Sequence, residues 1–315
     1  MKRPEHRETE HEITIEAPAA AVYQLIADVG NWPRLFPPTV YVDHVEKLGD
    51  SERIRIWATA NGEVKTWTSR RSLDPIGLRI DFRQEVSSPP VAAMGGAWVI
   101  EPLASGTSRV RLLHNYRAID DAGLAWIDRA VDRNSHSELA ALKSGAEAAA
   151  GGAGLRFSFE DSVVVNGAVR DVYGFIADAA LWKERLPHVK RLILTEDTPG
   201  MQVMEMDTLT KDGTTHTTKS VRVCFPSHMV VYKQTTMPAL LSMHTGTWLV
   251  HEDPGNGSDV TVTSEHTVSI AEDNITTVLG PDADVAQARE FVRNALGGNS
   301  RATLQHAKEY AESRS

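Results

Sequence analysis

The sequence predicts an α+β protein of two tandem domains. Each is a curved seven-stranded antiparallel sheet around a long C-terminal helix, with two short helices near its start. Three observations carry this. "AVYQLIADVGNWPRLFP" at 21–37 recurs as "DVYGFIADAALWKERLP" at 171–187, an offset of 150 residues that carries Val22, Tyr23, Ile26, Trp32 and Pro37 onto Val172, Tyr173, Ile176, Trp182 and Pro187. The same offset carries Gly96 and Trp98 onto Gly246 and Trp248, and Ser108 and Val110 onto Ser258 and Val260, which reads as one constant register through two copies of one fold. Within a copy, short alternating runs separated by turn residues precede one long helical stretch, and strands joined by short turns form an antiparallel sheet.

The elements follow in order. "EHEITIEAP" alternates like a strand and stops at Pro18, which suits the first turn of a short helix, "PAAAVYQLIADV", with Val22, Leu25, Ile26 and Val29 on one apolar face. "NWPRLFPP" reads as a second short, proline-punctuated helix or turn. Strands are expected at 40–47, 52–60, 63–73, 78–86, 94–101 and 108–118, with "NGE" at 61–63 as a tight hairpin turn and "LDPIGL" and "EPLASGTS" as further turns. The stretch Asp120 to Ala150 is the long helix that covers the apolar face of the sheet. The glycines Gly151, Gly152 and Gly154 stop it, so the domains are 1–152 and 153–315. A sheet gripping one helix leaves an interior cavity at its open end, a place for a small, partly apolar ligand.

Bulk properties narrow the function. At 315 residues with 41% hydrophobic and 24% charged residues the chain reads as soluble and globular, and its net charge of −9 argues against a nucleic-acid binder. The single cysteine, Cys224, permits no intrachain disulfide and no thiolate metal cluster, which fits a cytoplasmic setting. No signal peptide and no apolar run long enough for a membrane span are visible. The twelve histidines show no metal-ligand spacing, and "GGAGL" is not a phosphate loop, so neither metal nor cofactor is expected.

The stretch "KTWTSRR" at 65–71 points to chemistry. Strand alternation puts Lys65, Trp67, Ser69 and Arg71 on one face, and Thr66, Thr68 and Arg70 on the other. An indole, a hydroxyl and a guanidinium on one face do not make an ordinary hydrophobic core. The structural alternative makes Trp67 plain core and the arginines surface charges, and a one-residue bulge would exchange the faces. On the long helix, Asn134 and Glu138 interrupt an apolar stripe of Leu124, Ile127, Val131 and Leu142, either near a solvated end or facing the cavity. Asn299 holds a comparable place in the second copy.

The element order resembles the helix-grip fold of the START and Bet v 1 superfamily. Within it, "NWPRLFPP", "WTSRR" and "GGAW" resemble the bacterial aromatase/cyclases of type II polyketide synthases, and the tandem arrangement resembles their di-domain members. The resemblance covers nearly the whole chain. It implies a cavity lined by Trp32, Phe36, Trp67, Met94 and Trp98, with Ser69 and Arg71 as catalytic residues and Asn134 as a helix-borne liner. His114 is a further candidate liner and base. The family's tyrosine near the cavity mouth has no clean counterpart, Tyr41 being shifted. The implied activity is dehydration and aromatisation of the first ring of a ketoreduced poly-β-ketone carried on an acyl carrier protein by phosphopantetheine. The implied partners are that carrier, the ketosynthase/chain-length factor and the ketoreductase; Arg34 and Arg3 are candidates for meeting the acidic carrier. The alternative is a non-enzymatic carrier of a lipid or aromatic molecule on the same fold.

In the constant register, Thr217, Lys219 and Val221 stand opposite Trp67, Ser69 and Arg71, so the triad is absent from the second copy, with Arg222 expected to face outward. That places catalysis in the first domain and gives the second a structural, substrate-binding or carrier-binding role. A second site using Lys219, His216 or His244 is the alternative.

Overall fold

Period-two alternation broken by tight turns builds the first sheet. In the computed structural model, which describes residues 6–151, 154–209, 213–252 and 259–314, the chain divides into two units, Met1–Ala153 and Gly154–Ser315. Arg3, Gly152 and Ser258 lie outside the described residues. The first unit runs β1 (Arg7–Ile15), α1 (Ala19–Ala27), α2 (Trp32–Leu35), β2 (Thr39–Leu48), β3 (Ser51–Ala60), β4 (Glu63–Asp74), β5 (Arg79–Val86), β6 (Val91–Pro102), β7 (Ser108–Ala118) and α3 (Asp121–Gly151). The second repeats it as β8 (Arg156–Asn166), α4 (Val169–Ala177), α5 (Trp182–Arg185), β9 (Val189–Thr198), β10 (Met201–Leu209), β11 (Thr215–Phe225), β12 (Met229–Thr236), β13 (Leu241–Glu252) and β14 (Asp259–Ile270), then α6 (Ile275–Leu279) and α7 (Val285–Glu312).

Each sheet has seven strands, ordered β1-β7-β6-β5-β4-β3-β2 and β8-β14-β13-β12-β11-β10-β9, so the first strand of each unit pairs with the last. All pairs are antiparallel, as hairpin connections require. Asn61 and Gly62 turn β3 into β4 with φ of 51° and 85°, the left-handed pair a two-residue hairpin needs. The expected strands are all present, and β6 starts three residues earlier than the sequence suggested, at Val91 rather than 94.

The long helices cover the sheets. Leu139 and Leu142 of α3 are buried in one cluster with Ile15, Ile100, Val110 and Leu112, and Ile127 in another with Tyr116 and Ala118; each such side chain contributes about 1.5–3 kcal/mol on burial. A polar clamp fixes the far end: Lys143 Nζ donates to the Thr14 carbonyl at 3.1 Å, and Glu147 accepts the Glu16 N–H at 2.9 Å. The second unit repeats it, with Lys308 Nζ on the Val164 carbonyl at 2.6 Å and Glu312 accepting the Asn166 N–H at 3.0 Å. These clamps align the helices, so Asn134-Ser135 of α3 corresponds to Asn299-Ser300 of α7.

The strand pairings correct the constant register. Glu52 pairs Arg71 in the first copy and Gln202 pairs Arg222 in the second, so β3 and β10 keep the 150 offset while β4 and β11 are offset by 222 − 71 = 151. Phe82 pairs Arg71 and Tyr232 pairs Arg222, which returns the next strand to 150. One residue gained in the β10–β11 turn is lost again in the β11–β12 turn. Gly96 pairs His114 and Gly246 pairs His266, so the last strands are offset by 266 − 114 = 152, and Ser108 and Val110 correspond to Val260 and Val262. Sequence flanks that agree therefore conceal a shifted strand between them.

Candidate functional site

The faces of β4 are those that alternation predicts. Ser69 and Arg71 are buried, while Arg70 is exposed and pairs with Glu85 at 2.8 Å. The register shift lies on the neighbouring strand: Thr68 pairs Val86 and Ser69 pairs Gln84, so Glu85 of β5 takes up the bulge and β4 keeps its alternation.

Beneath this face lie two voids, of about 820 and 630 Å³ of atom-free space with their mouths included, that share Trp32, Trp67, Gln84, Met94, His114 and Glu138 as walls. The outer void adds Asn134, Trp126 and Lys65; the inner adds Phe36, Ser69, Arg71 and Trp98. Trp32, Phe36, Trp67, Ser69, Arg71, Met94, Trp98, His114 and Asn134 thus each line one or both of these voids. Phe36 stacks on Trp98 at 5.9 Å and meets Trp32 edge-on at 5.4 Å, which gives the inner end flat apolar walls. Asn134 does face the cavity, with its Nδ2 donating to the Thr59 carbonyl at 3.0 Å.

Arg71 is held from three sides. Its Nη2 donates to the Ile26 carbonyl at 3.0 Å at the end of α1, and its guanidinium lies 4.9 Å over the Trp32 ring. Trp32 Nε1 donates to the same carbonyl at 3.0 Å. Nη1 lies 3.0 Å from Glu52 Oε1 as an ion pair, and neither atom has a hydrogen bond among the described residues. Burial pushes the guanidinium down to about 10 and Glu52 pulls it back up, which leaves a cation at neutral pH in a site of low polarity. Sequence reasoning missed Glu52, because its own strand gave no sign that it pairs with β4.

His114 lines the cavity against the edge of Phe82 at 5.5 Å, and its Nδ1 has no partner among the described residues. Desolvation inside the cavity pushes this imidazole down to about 4, so it is neutral at physiological pH and available as a base. Gln84 and Glu138 also line the space; Gln84 Oε1 is buried without a partner among the described residues. The interrupted stripe had flagged Glu138, whereas nothing in its sequence context marked Gln84. Tyr41 packs on Trp57 at 5.7 Å and does not line the cavity, and Arg34 is exposed on α2.

The second copy keeps more of this site than the constant register suggested. At the corrected offset, Ser220 and Arg222 occupy the places of Ser69 and Arg71, and of the three β4 residues Trp67 alone is replaced, by Thr218. Arg222 is buried, not outward: Nη2 donates to the Ile176 carbonyl at 2.6 Å, Nη1 to Gln202 Oε1 at 2.6 Å, and the guanidinium lies 4.8 Å over Trp182. Lys219 is exposed on the opposite face, whereas His216, His244 and Asn299 line a cavity of about 720 Å³. Among the described residues no helix is long and apolar enough to cross a membrane.

Comparison with known proteins agrees with the fold. The family model described as polyketide cyclase/dehydrase and lipid transport matches residues 6–147 and again 156–312. The chain is 47% identical over 305 residues to the granaticin polyketide synthase bifunctional cyclase/dehydratase of Streptomyces virginiae, covering 94% of this chain and 97% of that one. It is 46% identical to the actinorhodin polyketide synthase bifunctional cyclase/dehydratase of Streptomyces coelicolor, covering 98% of each. Among solved structures, the di-domain ARO/CYC BexL of the BE-7585A biosynthetic pathway is 60% identical, with a TM-score of 0.86 over 97% of this chain and 99% of that one. The di-domain ARO/CYC StfQ of the steffimycin pathway is 34% identical with a TM-score of 0.84 over the same shares.

Proposed function

The chain belongs to the polyketide cyclase/dehydrase and lipid-transport family, and from that premise we propose that it is an aromatase/cyclase that forms and aromatises the first ring of a ketoreduced poly-β-ketone, with its principal site in the first domain. The observation that carries this reading is the inner cavity: indole and phenyl walls around a buried cation, a serine hydroxyl and a neutral imidazole.

A poly-β-ketone is flat where enolised and studded with carbonyl oxygens. Aromatic faces hold its carbon skeleton, and the Arg71 guanidinium stabilises the oxygen on which negative charge develops. His114 takes a proton from an activated methylene, whose carbon then adds to a carbonyl carbon; the oxygen of that carbonyl is protonated and becomes a hydroxyl. Ser69 passes a proton or positions a water in this step. Ring closure leaves this aldol hydroxyl, and the ketoreduced carbon carries another. Loss of both as water makes the ring aromatic. No electron leaves the substrate, so acid-base groups and positioning suffice. The substrate arrives on the phosphopantetheine of an acyl carrier protein, downstream of a ketosynthase/chain-length factor and a ketoreductase, and Arg34 on α2 is the exposed cation nearest in sequence to the tryptophan wall.

Product analysis by mass spectrometry of a reconstituted synthase and ketoreductase, with and without this protein, tests the reading. Aromatised first-ring products only when the protein is present support it. Identical products in both reactions refute it and leave a carrier of a lipid or aromatic molecule as the reading of the same cavity.

A further inference from the structure

We propose that the cavity of the second domain is a proton-transfer site in its own right, built on His244 and His266, that removes one of the two waters lost as the first ring becomes aromatic. This rests on the reading above and adds a second place of chemistry to it.

The corrected strand register shows what has changed between the cavities. His266 occupies the place of His114, each opposite a glycine of the neighbouring strand. His244 precedes its glycine by two residues, as Met94 does in the first copy, and Tyr232 pairs that glycine where Phe82 does. Ser264 stands opposite Trp248 where Leu112 stands opposite Trp98. Apolar walls of the first cavity have thus become a connected polar set in the second. A cavity that merely filled space with the same fold would gain nothing from burying these groups, since each carries a desolvation cost.

The connections form a relay. His244 Nε2 lies 2.9 Å from His266 Nδ1, and His266 Nε2 lies 2.6 Å from Ser300 Oγ. Tyr232 Oη lies 3.0 Å from His266 Nδ1, and Ser264 Oγ lies 3.2 Å from His266 Nε2. His244 is 2% exposed, lines the cavity, and its Nδ1 has no partner among the described residues. If His244 donates to His266, and His266 to Ser300, the lone pair of His244 Nδ1 is bare. If both bonds reverse, Nδ1 carries the hydrogen. The relay therefore presents either an acceptor or a donor at the same atom, as an elimination needs. Burial holds both imidazoles neutral, with His266 pushed down to about 4 and His244 well below its ordinary value.

The step balances without a co-reactant. His244 Nδ1 takes the hydrogen α to the ketone as a proton, and its electron pair forms the enolate. The enolate re-forms the carbonyl and a carbon–carbon double bond as the β-carbon–oxygen bond breaks. The departing hydroxyl takes the proton from His244 and leaves as water, and the imidazole returns to its neutral form.

The test uses the full chain in the reconstituted synthase with ketoreductase, comparing wild type, His244→Met and His244→Gln, and follows products by mass over time. Methionine is the residue that the first copy carries at this place; glutamine keeps a polar side chain that cannot carry a proton at neutral pH. With either folded variant, the proposal expects a ring-closed product retaining one water more than the aromatic one, formed with unchanged ring position, and loss of that water slowed about 100-fold. Should His244→Met melt early, His244→Gln decides. Aromatic product at the wild-type rate from a folded variant overturns the second site and leaves the first-domain reading standing. Wild type that yields no more aromatic product than the reaction without it overturns both.

Discussion

Replacing Arg71 by alanine removes more than a guanidinium from a cavity. Arg71 and Glu52 are each 2% exposed and 3.0 Å apart, and Arg71 also supplies the donor for the Ile26 carbonyl at the end of α1. Without it, Glu52 keeps only the partly exposed His44 imidazole, 3.1 Å from its Oε2, and a buried carboxylate that has lost its cation costs up to about 3–5 kcal/mol. The second copy shows how the site tolerates a neutral partner, since Gln202 Oε1 accepts from Arg222 there at 2.6 Å. Glu52→Gln alone is therefore expected to be mild. In that background, Arg71→Ala leaves an unpaired amide in place of an unpaired charge and costs about 1–3 kcal/mol, so the double-mutant cycle yields a coupling of about 2 kcal/mol. Hydrogen exchange read by mass spectrometry on β3 and β4 peptides across a urea series reports the first unit separately. An Arg71→Ala protein whose β3–β4 opening free energy matches wild type to within about 0.5 kcal/mol would refute the argument that Arg71 locks α1 to the sheet.

Other outcomes follow from the same geometry. A Cβ on Gly96 would run into the Leu113 carbonyl and the Phe82 ring, so Gly96→Ala should destabilise the first unit by about 1–3 kcal/mol in a urea melt. The imidazoles of His114 and His266 sit at about 4 in the fold against 6.5 when unfolded. The unfolded chain thus binds more protons between those values, and their contribution, full above 6.5, is lost as pH falls towards 4. Urea midpoints measured across this window should fall with acid, and His114→Phe should flatten the fall in the first unit. Asn134→Ala breaks the bond from α3 to the Thr59 carbonyl and should cost about 1 kcal/mol with the fold retained, as read by the same melt.

The fold was legible because its signals are local. Alternation gave the strands, Pro18 and the glycines after 150 gave the ends of helices, and the 21–37 repeat gave the duplication. The β4 face was legible for the same reason, since alternation alone aims Trp67, Ser69 and Arg71 one way. The rest depended on long-range pairing. Glu52 and Gln84 join the site only through the register of β3 and β5 against β4. The polar lining of the second cavity was hidden by a one-residue gain and a matching loss in consecutive turns, which shift β11 and restore the 150 offset in β12 and β13, and by a further two-residue shift in β14. A period-two strand moved by one residue exchanges its faces, so Arg222 was expected to point away from the cavity that it lines with Ser220.

Ser69→Ala tests the central claim most directly, because it deletes one hydroxyl from the inner cavity and leaves the Arg71 lock in place. The measurement is the rate at which ketoreduced polyketide becomes first-ring aromatic product in the reconstituted synthase, alongside a urea melt of the same protein. A rate reduced at least about tenfold with an unchanged melt is the result that first-domain catalysis predicts. An unchanged rate in a protein that is equally stable would contradict it.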